Sequence, residues 1–166
     1  MPLDERQRGW IRDFRDAFEA RWRDDARFTS VERHDRTDES TLASRVAVAP
    51  HIWLELAIRP FLPQLRAGIL TDDRWKSEDL EQAIEDSGDE MSEFIEMGFE
   101  EAGLTWREPA VEHYRDQGKY FYFATPLELP DLAALADPAV RDRIGLMFEG
   151  YYRAFAPAIR KLSAPT

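Results

Sequence analysis

The sequence contains no cysteine. That removes a disulfide framework, a thiolate zinc site and a cysteine nucleophile, and it fits a reducing compartment. Long apolar runs are missing too: none approaches the roughly 18 residues that a membrane-spanning helix needs. The opening MPLDERQRGWIRDFRD is too charged for the apolar core of a signal peptide. The expectation is a cytoplasmic protein with no membrane partner. There is no G-x-S-x-G, G-x-G-x-x-G or P-loop, so serine-hydrolase, dinucleotide and nucleotide readings lack their usual support. No stretch gathers bases with interleaved aromatics, and a net charge of −11 repels phosphate, which sets nucleic acid aside as a partner. With no catalytic, metal or cofactor signature, no cofactor is expected.

What is present is ample material for a core: 43% apolar and 12% aromatic residues over a length of 166, about one domain. The surplus of acid is local. SEDLEQAIEDSGDEMSEFIEMGFEEAG, residues 77 to 103, holds eleven acids and neither Lys nor Arg, and the remainder of the chain carries 22 acids against 22 bases. One segment therefore carries the whole imbalance.

Periodicity gives the elements. Trp10, Ile11, Phe14, Phe18 and Trp22 recur at helical spacing within residues 4 to 26. Phe28 and Val31 suit a short strand, and RHDRTDES, residues 33 to 40, reads as a polar loop. In TLASRVAVAPHIWLELAIR the positions Leu42, Val46, Val48, Ile52, Leu54, Leu56 and Ile58 alternate in one phase across Pro50. As a single strand this run would be about 56 Å long, more than the roughly 40 Å width of such a domain, so it must turn near Pro50 and make two strands. RPFLPQLRAGILTDDRW, residues 59 to 75, reads as a connector with a helical turn between Pro63 and Gly68.

The acidic stretch reads as one long helix. Leu80, Ile84, Met91, Phe94, Ile95 and Ala102 share a stripe opposite most of the acids, Ser77 suits the N-cap, and Gly103 suits a Schellman stop with Leu104 over Phe99. LTWREPAVEHY and KYFYFATPL then read as two strands joined through RDQG. A last helix opens at Asp137 and Pro138 and repeats Val140, Ile144, Met147, Phe148, Tyr151, Phe155, Ile159 and Leu162, with Pro157 bending or fraying its last turns. No internal repeat or linker interrupts the chain. The expected fold is a single α+β domain over residues 1–166: an antiparallel sheet of four to five strands and three main helices, in the order α-β-β-β-α-β-β-α.

That order, together with FYFATPLELPDLAALADPAVRDRIGLMFEGYYRAFAPAIRKL, a strand passing through a PL-x-L connection into a terminal amphipathic helix, resembles the class I type III secretion chaperones and the bacterial proteins that share their fold. The resemblance implies a homodimer that binds an extended segment of a partner protein without catalysis. It carries no diagnostic motif and assigns no binding residue.

Two constellations stand out as sites. The plainest reading of the acidic helix is a solvated face, and the next is a docking surface for a basic partner through Glu85, Asp89, Glu93 and Glu96. Like charges at i, i+4, such as Glu85 with Asp89, cost stability that a few Lys residues would have avoided. A metal fits less well, because the spacing is not that of a calcium loop and no His accompanies the acids. The second constellation is His51, Trp53 and Glu55 on one strand face with His113 on a nearby strand, which would suit a small-molecule or enzymatic pocket. Its plain counterpart is the polar side of a half-covered sheet. The aromatic stripes of the first and last helices, Trp10, Phe14, Phe18 and Trp22 with Phe148, Tyr151, Tyr152 and Phe155, read as core, with a dimer patch as the other use for some of the rings.

Overall fold

The computed structural model describes residues 2–28 and 30–163. Helix α1, Glu5–Arg23, starts at a capping box in which Asp4 accepts the Gln7 N–H at 2.8 Å and the Gln7 side chain accepts the Asp4 N–H at 3.0 Å. Its stripe of Ile11, Phe14, Phe18 and Trp22 is buried, as the spacing requires. Strand β1 is Val31–Arg33, and a polar loop leads to β2, Leu42–Ala49, and β3, Ile52–Arg59. The unbroken alternation is cut at Pro50, where the chain reverses through Pro50 and a left-handed His51 (φ 62°).

The next strand, β4, Gln64–Thr71, corrects the expected connector with its helical turn. It pairs with β3 along its whole length and is buried on both faces. Leu65, Ala67 and Ile69 face the helices, while Gln64, Arg66, Gly68 and Leu70 face the other way. Two polar residues in buried slots and a glycine hid the alternation. Gly68 is there for close approach rather than for a turn, since a Cβ would strike the backbone of Phe123 and Ala124 on the neighbouring strand.

The expected long acidic helix is two helices, α2, Arg74–Ser87, and α3, Met91–Ala102. Gly88 in the left-handed region (φ 77°) ends α2, and Ser87 Oγ donates to the Ile84 carbonyl and accepts the Asp89 N–H. The apolar stripe continues in phase past Gly88, which is why periodicity alone ran through the break. The N-cap of α2 is Asp73, which accepts the Trp75 and Lys76 N–H groups, and Ser77 lies buried inside the first turn. The end of α3 is as expected: the Leu104 N–H reaches the Phe99 carbonyl at 2.8 Å and the Gly103 N–H that of Glu100 at 3.0 Å, the two bonds of a Schellman motif.

Strands β5, Glu112–Asp116, and β6, Tyr120–Glu128, form a hairpin turned at Gln117 and Gly118, both with positive φ. The first begins at Glu112, since residues 104–111 are a loop holding Pro109. After a short 3-10 turn, Leu132–Ala136, helix α4 runs Pro138–Ser163, with Asp137 accepting the Ala139 N–H at 2.9 Å and the helix continuing through Pro157. The architecture is α+β, with six strands and four helices among the described residues in place of four to five and three.

The sheet is antiparallel throughout, in the order β1-β2-β3-β4-β6-β5. All four helices lie on one side of it. Helix α4 crosses β2, β3 and β4, α1 lies over the β1 and β2 end, and α3 stacks on α4. The core between the layers is ring-rich: Trp22 and Phe148 sit 4.2 Å apart between centroids, and Phe14, Phe18, Tyr151 and Phe155 are fully or nearly fully buried. These rings are core. Only Trp10 and Tyr152 of the two stripes remain partly exposed.

Candidate functional site

The outer surface of α2 and α3 gathers the acid. Glu85 and Glu93 are exposed, Asp89 lies in the turn between the helices, and Glu96 is half-buried with its carboxylate accepting the Glu108 N–H at 2.6 Å. Around them Glu81 is tied to His113 at 2.8 Å and Glu78 approaches Arg74 at 3.9 Å. Glu85, Asp89, Glu93 and Glu96 make no ion pair among the described residues. The helix break relieves part of the expected repulsion, because Glu85 and Asp89 no longer face each other on a continuous helix. Two large apolar side chains stand out of the same helices into solvent, Trp75 at 72% and Met97 at 54% exposure. On an acidic surface studded with apolar groups, charge acts mainly on the rate of encounter and the apolar groups on contact area.

The other sequence constellation is not brought together. His51 sits at the tip of the β2–β3 turn, exposed, with Nδ1 2.9 Å from Asp72. Trp53 and Glu55 share the sheet face that no helix covers. His113 is on the opposite face, stacked on Phe123 at 4.0 Å, with Nδ1 donating to the Tyr122 carbonyl at 2.9 Å and Nε2 facing Glu81. The turn moved His51 out of the strand, and the β5 register put His113 on the helix side.

Sequence reasoning missed what fills the helix-free face. Ala43, Ala57, Gly68 and Ala124 form a floor of small residues, and long polar side chains lie over it. Arg45 donates to Glu55 at 2.8 Å and to the Tyr122 hydroxyl at 2.9 Å, and Tyr122 donates on to Glu55 at 3.2 Å. Beside them Arg66 bonds Glu112 and stacks over Tyr114, which lies parallel to Tyr122 at 4.9 Å. Burial, together with the Glu55 charge, pushes the Tyr122 phenol far up, and burial also raises that of Tyr114. Arg45 and Tyr122 meet over the two strands, β3 and β4, that separate β2 from β6. The signal for it was in the sequence, as Arg45 and Arg66 at strand positions opposite in phase to Leu and Ile. Within the network each carboxylate has a guanidinium, Glu55 that of Arg45 and Glu112 that of Arg66, while the buried Arg66 Nε has no hydrogen-bond partner among the described residues. A polar cleft of about 410 Å³ at its mouth is lined by His34, Arg36, Asp38, Arg45 and Tyr120, with Arg36 paired to Asp116 at 2.9 Å. Among the described residues no three His, Asp or Glu side chains converge as a metal site would, and no helix is long and apolar enough to cross a membrane.

The chain matches no protein-family model, no curated protein and no solved structure.

Proposed function

We propose that this chain is a non-catalytic, chaperone- or adaptor-like protein of the cytoplasm that docks a basic polypeptide segment on the outer surface of α2 and α3, and that it works as a homodimer. The observation that carries the reading is the confinement of the entire charge imbalance to residues 77–103, where eleven acids stand without a base and beside the exposed Trp75 and Met97. Glu85, Asp89, Glu93 and Glu96 are the residues assigned to the contact. The resemblance to class I type III secretion chaperones, read from the sequence before strand β4 and the split of the acidic helix altered the element order, favours binding without chemistry and is the source of the homodimer. For a small-molecule or enzymatic domain, His51, Glu55 and His113 would have to meet in one pocket, and among the described residues they lie apart.

The test is differential capture. Immobilised parent protein and the variant Glu85→Lys, Asp89→Lys, Glu93→Lys are exposed to the same cell lysate at low salt. Three surface changes leave the apolar stripe intact, so folding, checked by melting, stays near parental. The parent should retain a basic protein that the variant does not, and equal retention by both would remove the docking surface.

A further inference from the structure

The acid and the apolar groups of α2 are arranged, and the arrangement specifies the partner further. Trp75, Asp79, Gln82 and Asp86 recur at steps of four, three and four residues, with Ala83 four after Asp79, so all five lie along one side of α2. Against that side runs the last part of α4, and between the two helices lies a groove of about 320 Å³. Asp79, Ala83 and Asp86 line it from α2, and Pro157, Ala158 and Leu162 from α4. Its floor is apolar: Ala83, Ala158 and Leu162 are half-buried, and Pro157 adds its ring. Its rim is acidic on the α2 side, where Asp79 and Asp86 are exposed and make no ion pair among the described residues. A single base, Lys161, lies across from them. Trp75, with 72% of its surface in solvent, marks the N-terminal end of the same stripe.

We infer that this groove seats the apolar stripe of a short cationic amphipathic helix, with its Lys or Arg side chains on Asp79 and Asp86; this rests on the reading of α2 and α3 as a docking surface for a basic polypeptide. The volume is at the lower end of the roughly 300 to 1,000 Å³ typical of binding cavities, enough for a few aliphatic side chains and too small for a folded domain to enter. Asp79 and Asp86 are seven residues apart, which is about 10 Å along a helix, the same spacing as two bases at i and i+7 on a helical partner. Helix-in-groove recognition reads its partner through such i, i+3, i+4 and i+7 positions. A second copy of this chain is disfavoured as the occupant of a two-fold contact, since it would bring its own acidic rim against this one.

The experiment uses the full chain and synthetic peptides of about 14 residues, ~20 Å of helix, built from Leu and Lys. One places Leu on a helical stripe, a second has the same composition with the stripe scrambled, and a third is oligolysine of equal charge. Affinity is read by the anisotropy of a dye on the peptide. The parent should bind the striped peptide at least tenfold more tightly than the scrambled one. Ala83→Trp, which fills the groove from α2, should abolish that preference while oligolysine binding stays at the parental level. Ala158→Trp fills the groove from the other wall and serves where the first variant does not fold. Equal affinity of the parent for striped and scrambled peptides, or an undiminished preference in a folded groove-filled variant, would overturn the inference and leave the docking surface standing. Failure of the parent to bind even oligolysine at low salt would overturn both.

Discussion

Leu54 is fully buried on the helix-covered side of β3, paired in register with Val46 and Ile69. Leu54→Asp puts an unpartnered carboxylate there and should cost more than about 3 kcal/mol, read as loss of cooperative folding or a large fall in Tm. Near-parental melting would mean that the face has been misassigned. Glu55, the next residue, shows why polarity in a strand is a poor guide to exposure. It is 7% exposed and holds the buried Arg45, so Glu55→Ala leaves a guanidinium uncompensated and should cost about 3–5 kcal/mol, far more than an exposed glutamate would. Glu19 gives the pH dependence. Burial raises its carboxyl, but hydrogen bonds from Arg33 and from Ser44 at 2.6 Å outweigh that and hold it below its ordinary value near 4.5. A carboxyl depressed in the folded state contributes stability that is present above the unfolded value and lost as pH falls through the folded one. Tm should therefore fall as pH drops below about 4.5. Glu19→Gln should lose on the order of 1–3 kcal/mol at neutral pH and show a shallower acid slope. Some slope remains, because Glu149, bonded by Arg27 and Arg153, is depressed in the same sense. An acid slope identical in parent and variant would contradict the assignment.

At the scale of elements, two glycines substituted in the same way separate two kinds of constraint. Gly98 lies where α3 crosses α4, and a Cβ there would stand 2.5 Å from the Gly150 carbonyl and 2.7 Å from Ala154 Cβ. Gly98→Ala should cost about 1–3 kcal/mol by forcing the helices apart, although alanine is the better helix former. Gly88 has open space around it but a φ of 77°, so Gly88→Ala should cost about 1–2 kcal/mol through backbone strain alone. Thermal melts of the two variants measure both, and a stabilised Gly98→Ala would mean that the close crossing is wrong. These positions also show what could be read in advance. The α1 stripe, the turn at Pro50, the Schellman end at Gly103 and the opening of α4 at Asp137 each have a local chemical cause, and each was legible. Strand β4 and the break at Gly88 were not. In β4 the buried slots hold Gln64, Arg66 and Gly68, chosen by neighbours on β6 and β5 that lie far along the chain. At Gly88 the apolar stripe keeps its phase across the interruption. The candidate surface was visible as composition, while the groove beside it needed the packing of α2 against α4, which no local pattern encodes.

The whole molecule is a sheet covered on one side by helices and on the other by paired Arg, Glu and Tyr side chains, with its excess charge collected on two helices. The core has absorbed most of the aromatic stripes, so a homodimer would have to use other surface, and its contact would have to avoid the acidic side. Sedimentation at micromolar concentration should give twice the 19.3 kDa chain mass, and a 19.3 kDa species at every concentration would remove the dimer while leaving the docking surface. Docking on the acidic surface is decided by the association rate constant with a basic polypeptide. Oligolysine mixed by stopped flow with the parent should associate fast at low ionic strength and slow steeply as salt screens exposed charges over about 8 Å at physiological strength. The Glu85→Lys, Asp89→Lys, Glu93→Lys variant should associate at least tenfold more slowly at low salt, with a shallower salt dependence. Equal rates and equal salt slopes for parent and folded variant would contradict the claim and leave the acid of α2 and α3 as a device for solubility.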